Sequence, residues 1–103
     1  MSQTKSYYQL SLDADRDIEE IFDYTEKEFG FNKAVAYVEA FEPLFENLLS
    51  NPSLGRKRDE IKIGLRSILK AEHVIFYRVL EDHIRIVRVL HGSRDLPKFF
   101  KVE

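Results

Sequence analysis

The sequence has no cysteine, so neither a disulfide framework nor a thiolate metal site is open to it, and a reducing cytoplasm is the simplest compartment to expect. No run approaches the ~20 apolar residues that a membrane helix needs. Met1-Ser2-Gln3-Thr4-Lys5-Ser6 leads into no apolar stretch of the kind that follows the start of a secretory signal. Neither secretion nor membrane insertion is indicated. Glycine and proline number only 4 and 3, and no repeat, low-complexity run or linker divides the 103 residues. A chain of this length buries roughly 65% of its unfolded surface, enough for one core. Residues 1–103 are therefore expected to form a single domain.

What is there belongs to a globular protein: 44% apolar residues, with 8 Phe and 5 Tyr, are too many for a disordered chain. The net charge of −2 hides an uneven distribution. Residues 1–55 carry 4 Lys and Arg against 11 Asp and Glu, and residues 56–103 carry 12 against 7. Two faces of opposite potential are expected, the basic one suited to an acidic protein segment or a nucleic-acid backbone. Simple mutual neutralisation of the two halves is the plainer alternative.

Tyr7-Tyr8-Gln9-Leu10-Ser11-Leu12 alternates, which predicts a strand with Tyr8, Leu10 and Leu12 on one buried face. Ser11 or Asp13 can cap a helix starting near Ala14, with Asp15, Asp17, Glu19 and Glu20 at the positive end of its dipole. Ala14, Ile18, Ile21, Phe22, Thr25 and Phe29 keep a 3.6-residue period up to Gly30, whose freedom at positive φ closes the helix. Asn32 is expected to cap a second helix ending at Asn51-Pro52, with a stripe of Ala34, Val35, Val38, Phe41, Phe45, Leu48 and Leu49. Pro43 interrupts that stripe, so a bend or a break is expected there, and the periodicity on both sides favours a bend.

Residues 52–62 read as a polar, basic loop with Gly55 in a turn. Three β-runs follow, Leu65 to Lys70, His73 to Leu80 and Ile84 to His91, joined by links short enough for antiparallel hairpins. The last run is apolar on both faces and is expected to lie inside the sheet. The order β-α-α-β-β-β predicts an α+β fold, a helical hairpin packed on a small, mostly antiparallel sheet. Where the first strand joins that sheet is left open.

Arginines recur in this half, at Arg56 and Arg58 in the loop and at Arg66, Arg78 and Arg88 within apolar strands. A guanidinium costs several kcal/mol to strip of water unless it is paired or kept at an edge. The strand arginines should therefore converge on a partner or on carboxylates of the first helix. His73, His83 and His91 lack metal-ligand spacing, so neither a metal nor a cofactor is expected. No basic recognition helix is present, and direct sequence-specific DNA binding is not expected.

Several of these segments, in this order, resemble the ParE-type toxins of the RelE/ParE superfamily over about 90 residues. They are Leu10-Ser11 before an acidic helix, Tyr24-Thr25 and Gly30 at the hairpin, Asn51-Pro52 with Gly55-Arg56, and Gly64-Leu65-Arg66. His73-Val74-Ile75-Phe76-Tyr77-Arg78 and Val89-Leu90-His91 followed by Arg94-Asp95 complete the set. The resemblance implies a cytoplasmic toxin that poisons DNA gyrase by trapping its cleaved-DNA complex, without catalysis of its own. It also implies neutralisation by a ParD-like antitoxin in a toxin-antitoxin hetero-oligomer.

On that reading the antitoxin folds onto the toxin, offering carboxylates to Arg66, Arg78 and Arg88 and apolar anchors to Phe41 and Phe45. Arg56, Arg58, His91, Arg94, Phe99 and Phe100 are the candidate target contacts. The runner-up is a RelE-like ribosome-dependent mRNA endonuclease, in which Arg66, Arg88 and His91 would cluster in a simple meander register with Lys57 or Lys62 reaching in. That branch resembles Gly-His-Arg followed by a terminal aromatic, often Tyr, whereas here His91 precedes Gly92 and the nearest aromatics lack a hydroxyl. An inactive relative kept for operon regulation or partner binding is the third possibility.

Overall fold

The computed structural model describes residues 4–93. Strand β1 (Tyr7–Leu10) runs into helix α1 (Leu12–Phe29), followed by α2 (Phe31–Glu39) and α3 (Phe41–Ser50). A two-residue strand, β2 (Arg56–Lys57), precedes the meander of β3 (Leu65–Lys70), β4 (His73–Val79) and β5 (His83–His91). The five strands are ordered β1-β5-β4-β3-β2, with β1 parallel to β5 and every other pair antiparallel. The fold is α+β, helices on a mixed sheet, and β5 lies inside the sheet as its two apolar faces require.

Ser11 decides where the first strand stops. Its hydroxyl accepts the Ala14 N–H at 2.9 Å, capping α1, and donates to the Val87 carbonyl at 2.8 Å, tying the cap to β5. The helix consequently starts at Leu12, two residues before the expected Ala14. Leu12 is not the third buried residue of a strand face but 79% exposed. Gly30 sits at φ +95°, where side-chain-bearing residues rarely go, and serves both neighbours. Its N–H donates to the Glu26 carbonyl and its carbonyl accepts the Ala34 N–H. Asn32, expected as a cap, lies inside α2.

The stripe around Pro43 is broken, not bent. The chain leaves α2 at Ala40 and restarts as α3, with Pro43 third in the new helix. First-turn N–H groups have no intrahelical acceptor, so the missing N–H of proline costs little there. β2 falls inside the expected loop, because a two-residue ladder has no periodicity to show in the sequence.

The main core lies between helices and sheet, where Ala14, Ile21, Phe41, Phe45 and Leu48 meet Ile75, Tyr77, Ile84, Ile86 and Val89. A smaller cluster, Leu65, Phe76 and Leu90, lies on the other face beside Ile61 and Val87. Register explains the split. Phe76 pairs with Arg88 but Tyr77 with Ile86, so Val87 is an inserted bulge residue and Val89 rejoins the face of Ile84 and Ile86.

Candidate functional site

Asp17 falls on the apolar stripe of α1, one turn after Ala14 and one before Ile21, and its side chain is only 8% exposed. β1 has left the sheet by this point, so the N–H of Val89 has no strand neighbour and donates instead to Asp17 at 2.9 Å. Arg88 grips the same carboxylate through Nε at 2.8 Å and a terminal nitrogen at 2.9 Å. This bidentate bond raises the Arg88 pKa further above its ordinary value. Arg88, expected at a partner surface, is therefore held by its own chain, as the alternative of pairing with helix-one carboxylates anticipated. An acid on an apolar helical stripe was the signal for this pair.

The other arginines are held more loosely. Arg66 donates to the Gly55 carbonyl at 2.6 Å, and Arg78 reaches the Ile63 carbonyl at 3.4 Å. Neither carbonyl neutralises a charge. Arg58, expected as a target contact, bonds Glu60 at 2.7 Å and the Ser67 hydroxyl at 3.0 Å, with its guanidinium 5.7 Å from the centre of the Phe76 ring. It roofs the smaller apolar cluster. Arg56 stays exposed on β2.

Phe41 and Phe45 are 2% and 3% exposed, so they cannot serve as free anchors; their rings stack in the core at 6.1 Å. Phe41 nevertheless floors a shallow groove of about 340 Å³ with Ala36, Tyr37 and Ala40, between lysines 33 and 70. The groove opens where α2 breaks into α3, and nothing in the sequence marked it.

His91 is exposed, bonded to Ser93 at 2.7 Å and Glu72 at 3.3 Å, and its ring meets that of His73 edge-on at 5.4 Å. His73 in turn shares a 2.7 Å hydrogen bond with the Tyr37 hydroxyl. Burial, and then the neighbouring His91, push the His73 pKa below its ordinary value. His91 pairs with His73 at one end of the sheet, whereas Arg66 lies opposite Tyr77 and Arg88 opposite Phe76. The expected cluster of Arg66, Arg88 and His91 is therefore spread over three rows of the sheet, and Arg88 is spent on Asp17. Arg94, Phe99 and Phe100 lie outside the described residues.

Tyr77 fixes the segment leading to β2. Its buried hydroxyl donates to the Pro52 carbonyl and accepts the Gly55 N–H, both at 2.8 Å. A Cβ on Gly55 would lie 2.6 Å from the Ser67 carbonyl oxygen, so only glycine fits. Among the described residues no group of three His, Cys, Asp or Glu is placed to hold a metal ion, and no helix is long and apolar enough to cross a membrane.

The fold resembles that of a solved chain titled "Chromosomal ParDE TA system from P. aeruginosa", with a TM-score of 0.74 at 23% identity, covering 87% of this chain and 98% of that one. Toxin ParE1 of Mycobacterium tuberculosis is 37% identical over 94 residues, 90% of this chain and 96% of its own length. Toxin ParE1 of Caulobacter vibrioides is 33% identical over 86 residues, 84% of this chain and 88% of its own. The family model described as the ParE toxin of the type II toxin-antitoxin system parDE matches residues 8–96. With the motifs of the meander and the helical hairpin in their places, the chain belongs to the ParE toxin family of type II toxin-antitoxin systems.

Proposed function

We propose that this toxin acts in the cytoplasm on DNA gyrase, stabilising the state in which DNA is cut and covalently held, and that it performs no catalysis itself. A ParD-like antitoxin neutralises it in a hetero-oligomer. The observation that carries this reading is the dispersal of Arg66, Arg88 and His91 over separate rows of the sheet. Ribose activation needs a base, an acid and a cation around one phosphate. Arg88 is engaged by Asp17, and His91 lies three rows from it along β4. Arg66 and Arg78, bonded only to carbonyls, remain suited to antitoxin carboxylates, and the groove over Phe41 is suited to an apolar antitoxin side chain. The target contacts are Arg56 and His91, both exposed, with Arg94, Phe99 and Phe100 beyond the described residues completing the set.

Two assays run side by side test the reading. Purified toxin is expected to block gyrase supercoiling with accumulation of cleaved DNA, and to leave reporter mRNA intact on translating ribosomes. Codon-specific mRNA cuts with unaffected gyrase would replace this function by the endonuclease one.

A further inference from the structure

Arg78 of β4 and Arg85 of β5 are direct cross-strand partners in the antiparallel register, so their side chains leave the sheet on the same face. That is the face away from the helices, because Leu65 of the smaller cluster lies opposite Arg78 in the same row. Like charges directly opposite each other weaken a strand pair unless something neutralises them. Among the described residues neither head has an ion pair: the Arg85 side chain makes no hydrogen bond, and that of Arg78 reaches the Ile63 carbonyl. Both side chains are half-buried, hence partly desolvated and partly open.

The Arg78 head is also seated. A Cβ on Gly64, which sits at φ +87°, would come within 3.2 Å of a terminal guanidinium nitrogen, so this arginine lies close over bare backbone. The row continues through Gln9, opposite Arg85 on β1, which adds an amide donor on the same face. Of the acids near the pair, Asp59 accepts the Gly64 N–H at 2.9 Å and Asp82 is engaged by His83 at 2.9 Å. Two guanidinium forks and an amide in one row match a carboxylate, whose oxygens accept several N–H bonds at once. A nucleic-acid strand would present repeated phosphates, and beside this pair it would meet the exposed carboxylates of Glu81 and Asp82.

We propose that Arg78 and Arg85 form a two-guanidinium clamp for a carboxylate side chain on an acidic segment of the antitoxin. Only the identity of the protein that supplies the carboxylate rests on the function proposed above. Arg85 thereby joins Arg78 as a binding residue, and the repulsion between them in the free toxin is relieved when the partner docks.

Calorimetric titration of the toxin with its antitoxin, beside thermal melts of the toxin alone in low salt with and without glutarate, tests the clamp. Arg85→Gln is expected to raise the melting temperature of the free toxin, to abolish the stabilisation by glutarate, and to weaken antitoxin binding by about tenfold. Lys27→Gln, an exposed charge elsewhere on α1, is expected to leave binding unchanged. A lowered melting temperature of the free Arg85→Gln toxin, undiminished antitoxin affinity, or no glutarate effect on the wild type overturns the clamp. A preference for duplex DNA over the antitoxin, lost in Arg85→Gln, overturns its assignment to an acidic peptide. If the wild type binds no antitoxin while glutarate stabilises it through Arg85, the clamp stands and the partner assignment falls.

Discussion

Asp17 joins three things that would otherwise be separate: the end of the β1 ladder, the N–H of Val89 and the charge of Arg88. Removing one member of a buried, hydrogen-bonded charge pair leaves the other uncompensated, at a cost of about 3–5 kcal/mol. Asp17→Ala should therefore lower the free energy of urea unfolding by about 3 kcal/mol or more, since it also orphans the Val89 N–H. Replacing Asp17 and Arg88 together by Leu and Met should recover much of the loss. The ionisation of His73 also bears on folding. Its folded-state pKa lies below the ordinary ~6.5, so the unfolded chain binds the extra proton more readily, and stability is lost as pH falls through that value. The groups around it are Tyr37, His91, Glu72 and Asp17. Unfolding midpoints measured from about pH 7 down to about pH 5 should fall for the wild type and fall less steeply for His73→Gln.

At the scale of elements, β2 exists because Tyr77 anchors what precedes it. Tyr77→Phe leaves the Pro52 carbonyl and the Gly55 N–H without their buried partner, a loss of about 2 kcal/mol. Amide exchange at residues 53–58 should speed up in that variant, while the exchange of β4 and β5 stays close to that of the wild type. The meander strands could be read from the sequence because each is a run of apolar residues bounded by a two- or three-residue turn, and the first helix because its stripe keeps one period up to Gly30. The break at Ala40 could not be told from a bend, since the stripe of α3 stays in phase with that of α2 across it. The bulge at Val87 was hidden for a similar reason: an apolar strand offers no alternation whose slip could be noticed. The bulge shifts every later residue of β5 by one position against β4, while Arg88 goes to Asp17 and Arg66 to the Gly55 carbonyl, two unrelated contacts. No motif in the sequence singles out Arg85, although its opposition to Arg78 follows directly from the short β4–β5 turn.

On the scale of the whole molecule, the charge asymmetry between the halves was plain in the composition, and part of it is spent inside the fold, where the acidic α1 holds Arg88. The remainder of the positive charge stays on the outer face of the sheet and on β2, and these are the surfaces assigned to partners. Which strand neighbours which was beyond the sequence for β2, which reads as loop, and for β1. β1 pairs with β5 across 76 residues of chain, Tyr7 beside His83 and Leu10 beside Ile86, and the cap of α1 leans on the carbonyl of Val87. β1 is therefore fixed to the sheet only once β5 is in place, a long-range closure that belongs to the slow end of folding, and the helices between them have no completed sheet to rest on before it.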